Sequence, residues 1–419
     1  MNKNISTNIY SEIGELESVI IHTPGAEVEN MTPQNVERAL YSDILNLNVA
    51  TKEYNQLKHV LKKTCQVLEV KDLLKDVLKN EKVTEQLINK ICENENTLNI
   101  KNYLLDLDLE DLVRKLIEGV PLEQNNLTNF LCKDRYSLKP LHNFFYTRDS
   151  CVPVFDGVFI GGMASPVRQR ETLIMETIFD FHPLLSTKTY NTSSFGPGKN
   201  NISVEGGDVL IANDNVLLLG IGSRTTSKGV DFLLETLKTK KEKINLIVQE
   251  LPLSPESFIH LDMVFTLLDK DICMIYDPVI MKMNKYHTVH IYAEGGKVKY
   301  IREEKNMLEA LDKVDLKLQP LFCGGQKDQW AQEREQWHSG ANFFTLAPGK
   351  VIGYARNTHT VEELSQNGFE IIKASDIIKD RVDINNYDKY LITLEGSELP
   401  RGGGGARCMT MPISRKPVE

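Results

Sequence analysis

Residues 208–222 read DVLIANDNVLLLGIG, and this stretch decides the fold. Two apolar runs, VLIA and VLLLGI, flank Asn-Asp-Asn. Asn and Asp tolerate the tight backbone of a hairpin tip, so the stretch predicts two antiparallel strands and a turn. A helical pattern follows at 228–238 (KGVDFLLETLK), then a strand at 244–249 (INLIVQ). The unit is ββαβ.

The same opening recurs at 149–163 (DSCVPVFDGVFIGGM), 262–277 (DMVFTLLDKDICMIYD) and 342–356 (NFFTLAPGKVIGYAR). The tips are Asp-Gly, Asp-Lys-Asp and Pro-Gly-Lys. Helical patterns follow at 171–181 and 361–368, and 369–372 (FEII) reads as the next strand. Near the start, 18–22 (SVIIH) and 65–70 (CQVLEV) read as strands around a helix at 33–41. Units that bury a face only against their neighbours close into a ring. The expected fold class is therefore α/β, a five-bladed ββαβ propeller. An open α/β sheet would also alternate strands and helices, but it feeds each helix from a single strand rather than a hairpin.

Residues 71–140 break the repeat. Segments 71–78, 83–91 and 109–117 carry apolar residues at helical spacing with Lys and Glu between. The expected organisation is a catalytic propeller of residues 1–70 and 141–419 with a helical insertion at 71–140.

Composition narrows the function. Hydrophobic residues make up 41% of the 419 and charged residues 26%, as in globular proteins. A net charge of −9 argues against nucleic-acid or anionic-membrane binding. The apolar run 216–221 is far too short to span a bilayer. The start, MNKNISTNIY, has no apolar run, so no secretory signal is expected. The seven cysteines are scattered and form no CxxC pair, which speaks against a disulfide scaffold and a structural zinc site. A reducing, cytoplasmic location is expected.

In a ring, equivalent strand starts converge on the axis. Those positions hold Asp149, Asp208, Asp262 and Asn342, with Glu205 and His260 just before two of them. Buried like charges are costly unless compensated. Arg148 could compensate structurally, and a planar guanidinium ligand gripped by two carboxylates could do so functionally. An oxygen-loving metal remains open at this point. The stretch 400–412, PRGGGGARCMTMP, sets Cys408 behind four glycines and before an apolar, strand-like close. Glycine allows backbone to approach a ligand closely. A lone cysteine also packs well as a small hydrophobe, so nucleophile and core residue both stand. The pair His287 and His290 has too few partners for a metal site, and GGGGAR lacks the lysine and Ser/Thr of a phosphate loop.

The set YTRD (146–149), MASPVRQRET (163–172), EGGD (205–208), GSRT (222–225), HLD (260–262), REQWHSGANFFTLAPG (334–349) and GGGGARCMTMP resembles the arginine deiminase family. The resemblance implies the pentein propeller and hydrolysis of L-arginine to L-citrulline and ammonia, the opening step of arginine catabolism. It implies a covalent amidino intermediate on Cys408, with no cofactor and no metal. It implies that Glu205 and His260 handle protons and that Asp149 and Asp262 hold the guanidinium. Asn143, Tyr146, Arg168, Arg224 and Arg401 would contact the substrate. The expected partner is the small molecule L-arginine, with no nucleic acid and no membrane, in a homo-oligomer (a dimer or larger). One departure concerns the loop before the cysteine. Relatives often carry a second arginine where Gly403 stands, so either a substrate-contacting arginine is missing here or Arg401 or Arg407 takes its place. Other readings are a related guanidino-modifying enzyme, such as a dimethylarginine hydrolase or an amidinotransferase, and a non-catalytic binding propeller.

Overall fold

The computed structural model describes residues 4–31, 43–192 and 202–418 of the chain. The helix expected at 33–41 lies outside the described residues.

The deciding stretch forms the antiparallel strands Val209–Asn213 and Val216–Ile221. Helix Ser227–Leu237 follows, started by Thr226, whose hydroxyl accepts from the Gly229 amide. Strand Lys243–Glu250 then returns parallel to Val216–Ile221. The same plan builds the sheet of Cys151–Val154, Gly157–Ile160 and Lys188–Asn191, and that of Phe265–Leu267, Ile272–Ile275 and Gln319–Phe322.

In the sheet that opens with Phe344–Ala347 and Lys350–Tyr354, the expected third strand is displaced. Tyr390–Leu394 takes the inner parallel place and Glu370–Lys373 moves to the edge. Every residue of Tyr390–Leu394 is buried, whereas Glu370 and Lys373 are exposed. The more apolar strand, buried throughout, takes the position paired on both sides. The remaining sheet joins the chain ends: Met411–Arg415 pairs antiparallel with Leu16–Ile21, and Gln66–Glu69 lies parallel on its other side.

Residues 70–131 hold five α-helices, the longest being Glu81–Asn94 and Leu109–Glu118. This region is not free of strand, since Val120–Pro121 pairs with Tyr136–Leu138. Its apolar faces do not form a separate core. Leu74, Ile88 and Leu116 pack in one cluster with Ile20, Ile174, Ile178 and Met411. No helix among the described residues is long and apolar enough to cross a membrane.

Hydrogen bonds between the strand starts link the five larger sheets in a closed circuit. The Arg148 amide donates to the Cys408 carbonyl at 3.1 Å, and the Gly206 amide to the Asp149 carbonyl at 3.1 Å. Asp208 Oδ1 accepts from the Leu261 amide at 2.8 Å. Asn342 Nδ2 donates to the Asp262 carbonyl at 3.1 Å, and its Oδ1 accepts from the Arg407 amide at 2.9 Å. Each joint satisfies buried polar groups that would otherwise cost about 1–3 kcal/mol apiece, and together they fix the residues at the centre.

Candidate active site

Each central residue stands just before a sheet's opening strand. Asp149 precedes Cys151–Val154, Glu205 precedes Val209–Asn213, His260 and Asp262 precede Phe265–Leu267, and Cys408 precedes Met411–Arg415. One cavity is lined by Asn143, Tyr146, Asp149, Arg168, Glu205, Arg224, His260, Gly403 and Cys408. The EGGD turn explains part of this convergence. A Cβ on Gly207 would stand 2.4 Å from His260 Nδ1, so only glycine lets the ring lie against the turn. A Cβ on Gly405 would likewise meet Asn342 Oδ1 at 2.6 Å, and the loop could not bring Cys408 to the centre. Glu53 anchors the start of that loop by accepting from the amides of Ser397, Glu398 and Leu399.

His260 Nε2 and Glu205 Oε2 are 2.9 Å apart and both side chains are buried. Burial works against the charged ring, but the charge of Asp149 and the bond to Glu205 prevail and raise His260 to about 9. Burial also works against the Glu205 carboxylate. Its bond to His260, with the charges of His260, Arg224 and Arg168, nevertheless lowers it to about 2. The pair is thus an imidazolium held by a carboxylate. Cys408 is 2% exposed, and Sγ lies 3.8 Å from Asp262 Oδ2. Burial, then the charges of Asp262 and Asp149, push its thiol well above the ordinary range.

Two sequence expectations change. Arg401 does not line the cavity. Its guanidinium pairs with Asp43 and lies 3.2 Å from Glu398, on the outer side of the loop. Arg168 does line the cavity, yet it is bound to protein: Nη1 to Asp149 Oδ2 at 2.6 Å, Nε and Nη2 to Glu171, and Nη2 also to the Asn143 and Tyr146 carbonyls. At most one of its five N–H groups remains for a ligand. Arg224, half-buried at the rim, has no ion pair among the described residues.

Two contributors lack a sequence signal for their chemistry. Asn342 reaches the axis through the repeat, but only the structure shows Nδ2 donating to Cys408 Sγ at 3.2 Å. The other is Arg407, whose Nη1 donates to Asp262 Oδ2 at 2.8 Å. Asp262 therefore stands beside the thiol with Oδ2 held by Arg407 and Oδ1 without a hydrogen-bond partner among the described residues.

Three buried atoms around Cys408 have no hydrogen-bond partner among the described residues: Asp149 Oδ1, Asp262 Oδ1 and His260 Nδ1. Asp149, Glu205 and His260 also bring potential metal-ligand atoms within 4.8 Å of one another. The same acids suit a planar cation, whose N–H donors would meet the two open carboxylate oxygens.

Several solved structures share this fold. The amidinotransferase SxtG from Microseira wollei aligns with a TM-score of 0.54 at 13% identity, over 98% of each chain. The N-terminal domain of the cyanobacterial arginine dihydrolase ArgZ, bound to product, gives 0.53 at 12% identity, over 95% of this chain and 97% of that one. A dimethylarginine dimethylaminohydrolase gives 0.51 at 14% identity, over 95% and 99%. The fold is the pentein fold, and its centre here holds a buried cysteine beside a histidine–carboxylate pair.

Sequence comparison is more specific. The arginine deiminase family model matches residues 37–415. An arginine deiminase of Listeria monocytogenes serotype 4b is 33% identical over an alignment of 439 positions that covers 100% of each chain. One from Bacillus thuringiensis subsp. konkukian is 33% identical over 430 residues, 98% of this chain and 99% of its own. The chain belongs to the arginine deiminase family.

Proposed function

We propose that the protein hydrolyses L-arginine to L-citrulline and ammonia through a covalent intermediate on Cys408. The observation that carries this reading is the buried thiol flanked by Asp149 and Asp262, each with an oxygen that accepts no hydrogen bond among the described residues, Asp149 Oδ1 lying 3.7 Å from His260 Nδ1. Guanidinium is resonance-stabilised and stays protonated, so direct attack by water is slow. Two carboxylates hold the plane and turn its central carbon toward Sγ. Thiolate is a strong nucleophile and splits the reaction into two smaller barriers.

In the first half, the Cys408 thiol gives its proton to solvent as the guanidinium binds, the thiolate Sγ bonds to the central carbon, and the His260 imidazolium gives its proton to the departing nitrogen. The carbon–nitrogen bond breaks and ammonia leaves. In the second half, His260 takes a proton from water as the oxygen attacks the amidino-thioether. The carbon–sulfur bond breaks, citrulline leaves and the thiol is restored. Glu205 keeps His260 charged for the first half. Arg224, with Asn143 and Tyr146, receives the amino-acid end of the substrate. Arg168 acts mainly by fixing Asp149.

The test is a substrate panel of arginine, dimethylarginine and arginine with an amine acceptor, run with and without EDTA. Citrulline and ammonia from arginine alone, unchanged by EDTA, support the reading. Turnover confined to dimethylarginine, amidine transfer to the acceptor, or loss of activity with EDTA would overturn it.

A further inference from the structure

A buried cluster of charges lies directly behind the nucleophile. Arg407, next to Cys408 in sequence, is 1% exposed. Its Nε and Nη2 donate to the two carboxylate oxygens of Glu12 at 3.1 and 3.0 Å. Nη2 also donates to the Val209 carbonyl at 2.8 Å. Only Nη1 reaches Asp262, on Oδ2, and Asp262 Oδ1 has no partner among the described residues. Arg148 and Arg415 are buried against the same cluster, and each retains an unpartnered Nη2. Of the three guanidinium groups, Arg407 alone is ion-paired to Glu12 and Asp262, while Arg148 and Arg415 feel Glu12 only through its charge.

A guanidinium presents forked edges, and a carboxylate can occupy one edge with both oxygens. Glu12 occupies the Nε–Nη2 edge. Without it, Arg407 could turn a whole fork onto Asp262 and close both oxygens. The cluster would also lose the anion that offsets its surplus cations. Arg148 and Arg415 register that surplus. Burial first, then the charge of Arg407, lower them to about 9 and about 10, against the opposing pull of Glu12.

We infer that Glu12 is a positioning residue for the reaction: by holding the Arg407 guanidinium back, it keeps Asp262 Oδ1 open to the substrate cation and limits the positive charge behind Cys408. This deepens the proposed function and rests on it for the identity of the substrate. Glu12 touches neither substrate nor thiol; it acts through Arg407 and Asp262.

The test compares Glu12→Gln and Glu12→Asp with the unaltered chain. One arm measures KM and kcat for arginine. The other measures the pH dependence of Cys408 alkylation by neutral iodoacetamide, followed by the mass of the Cys408 peptide. Glu12→Gln is expected to raise KM about tenfold while kcat stays within about threefold. The alkylation midpoint should fall by about one unit, which is tenfold more thiolate at a given pH below it. Glu12→Asp should recover part of both. An unchanged KM and an unmoved midpoint, whatever happens to kcat, would overturn the inference, because a merely structural role does not move the thiol's titration. If Glu12→Gln does not fold, the double change with Arg407→Gln removes both charges together. Its midpoint should then rise, since Asp262 loses its cation, and a midpoint at the unaltered value would overturn the inference. A chain that makes no citrulline would sink the arginine reading alone, while the alkylation arm still decides the role of Glu12.

Discussion

Cys408 Sγ and Asp262 Oδ2 are 3.8 Å apart, both on buried side chains, and this pairing governs how the nucleophile can be charged. A carboxylate so near a thiol in a dry site opposes thiolate formation. The thiol should be neutral near pH 7 in the free protein and should ionise more readily when a guanidinium binds between Asp149 and Asp262. Thiolate absorbance against pH, with and without a non-reactive guanidino analogue, checks this. The expected result is a midpoint above the usual thiol range that moves down with the analogue. A free-protein midpoint below 7 would show that the acids do not control the thiol.

Asn342 gives the sulfur a hydrogen-bond donor and is itself fixed by the Asp262 carbonyl and the Arg407 amide. Hydrogen bonds to charged groups contribute about 1.5–3 kcal/mol. Asn342→Ala should therefore lower kcat by about 10- to 150-fold in steady-state assays. A change below threefold would mean that the donor does not act on the reacting sulfur.

Arg224 is the rim arginine that remains available to a carboxylate, whereas Arg168 is bound by Asp149 and Glu171. Agmatine, which lacks the α-carboxylate, should be a poor substrate. Arg224→Ala should raise the KM for arginine by about tenfold or more and narrow the gap to agmatine. Arg168→Ala should instead destabilise the fold by about 3–5 kcal/mol, since it strips a buried acid cluster of its cation. Urea denaturation separates the two, and equal stability losses would contradict the assignment.

The His260–Glu205 pair predicts a pH window for stability. His260 is raised from 6.5 to about 9, so its contribution is fully present below about 6.5 and is lost as pH rises through about 9. Glu205 is lowered from 4.5 to about 2, so its contribution is present above about 4.5 and is lost as pH falls through about 2. The unaltered chain should exceed a His260→Asn, Glu205→Gln chain in denaturation midpoint by most between about pH 4.5 and 6.5. A gap that widens toward pH 10 would reverse the sign of the argument.

The repeated hairpins were legible because the pattern is local: each hairpin tip and its following helix lie within one short stretch, and Asp149, Asp262 and Asn342 stand at matching strand starts, with His260 just before one of them. Cys408 stood out through its glycine-rich stretch rather than through the repeat. What failed to show depends on long-range contacts. Arg401 is an arginine in the right loop, but its direction follows from Asp43, a residue from the other end of the chain. Glu12 meets Arg407 across 395 residues, and nothing in SEIGEL marks it. The inner place of Tyr390–Leu394 follows from competition between two strands for burial, which pattern alone does not rank.

Cys408 is the proposed nucleophile, and a single turnover shows whether it carries the reaction. The most direct measurement is an acid-quenched single turnover with labelled L-arginine, reading citrulline and the mass of the Cys408 peptide for the unaltered chain and for Cys408→Ala. The expected result is label on Cys408 with the mass of arginine less ammonia, decaying to citrulline, and no citrulline from Cys408→Ala. Citrulline formed at an undiminished rate by Cys408→Ala would contradict it.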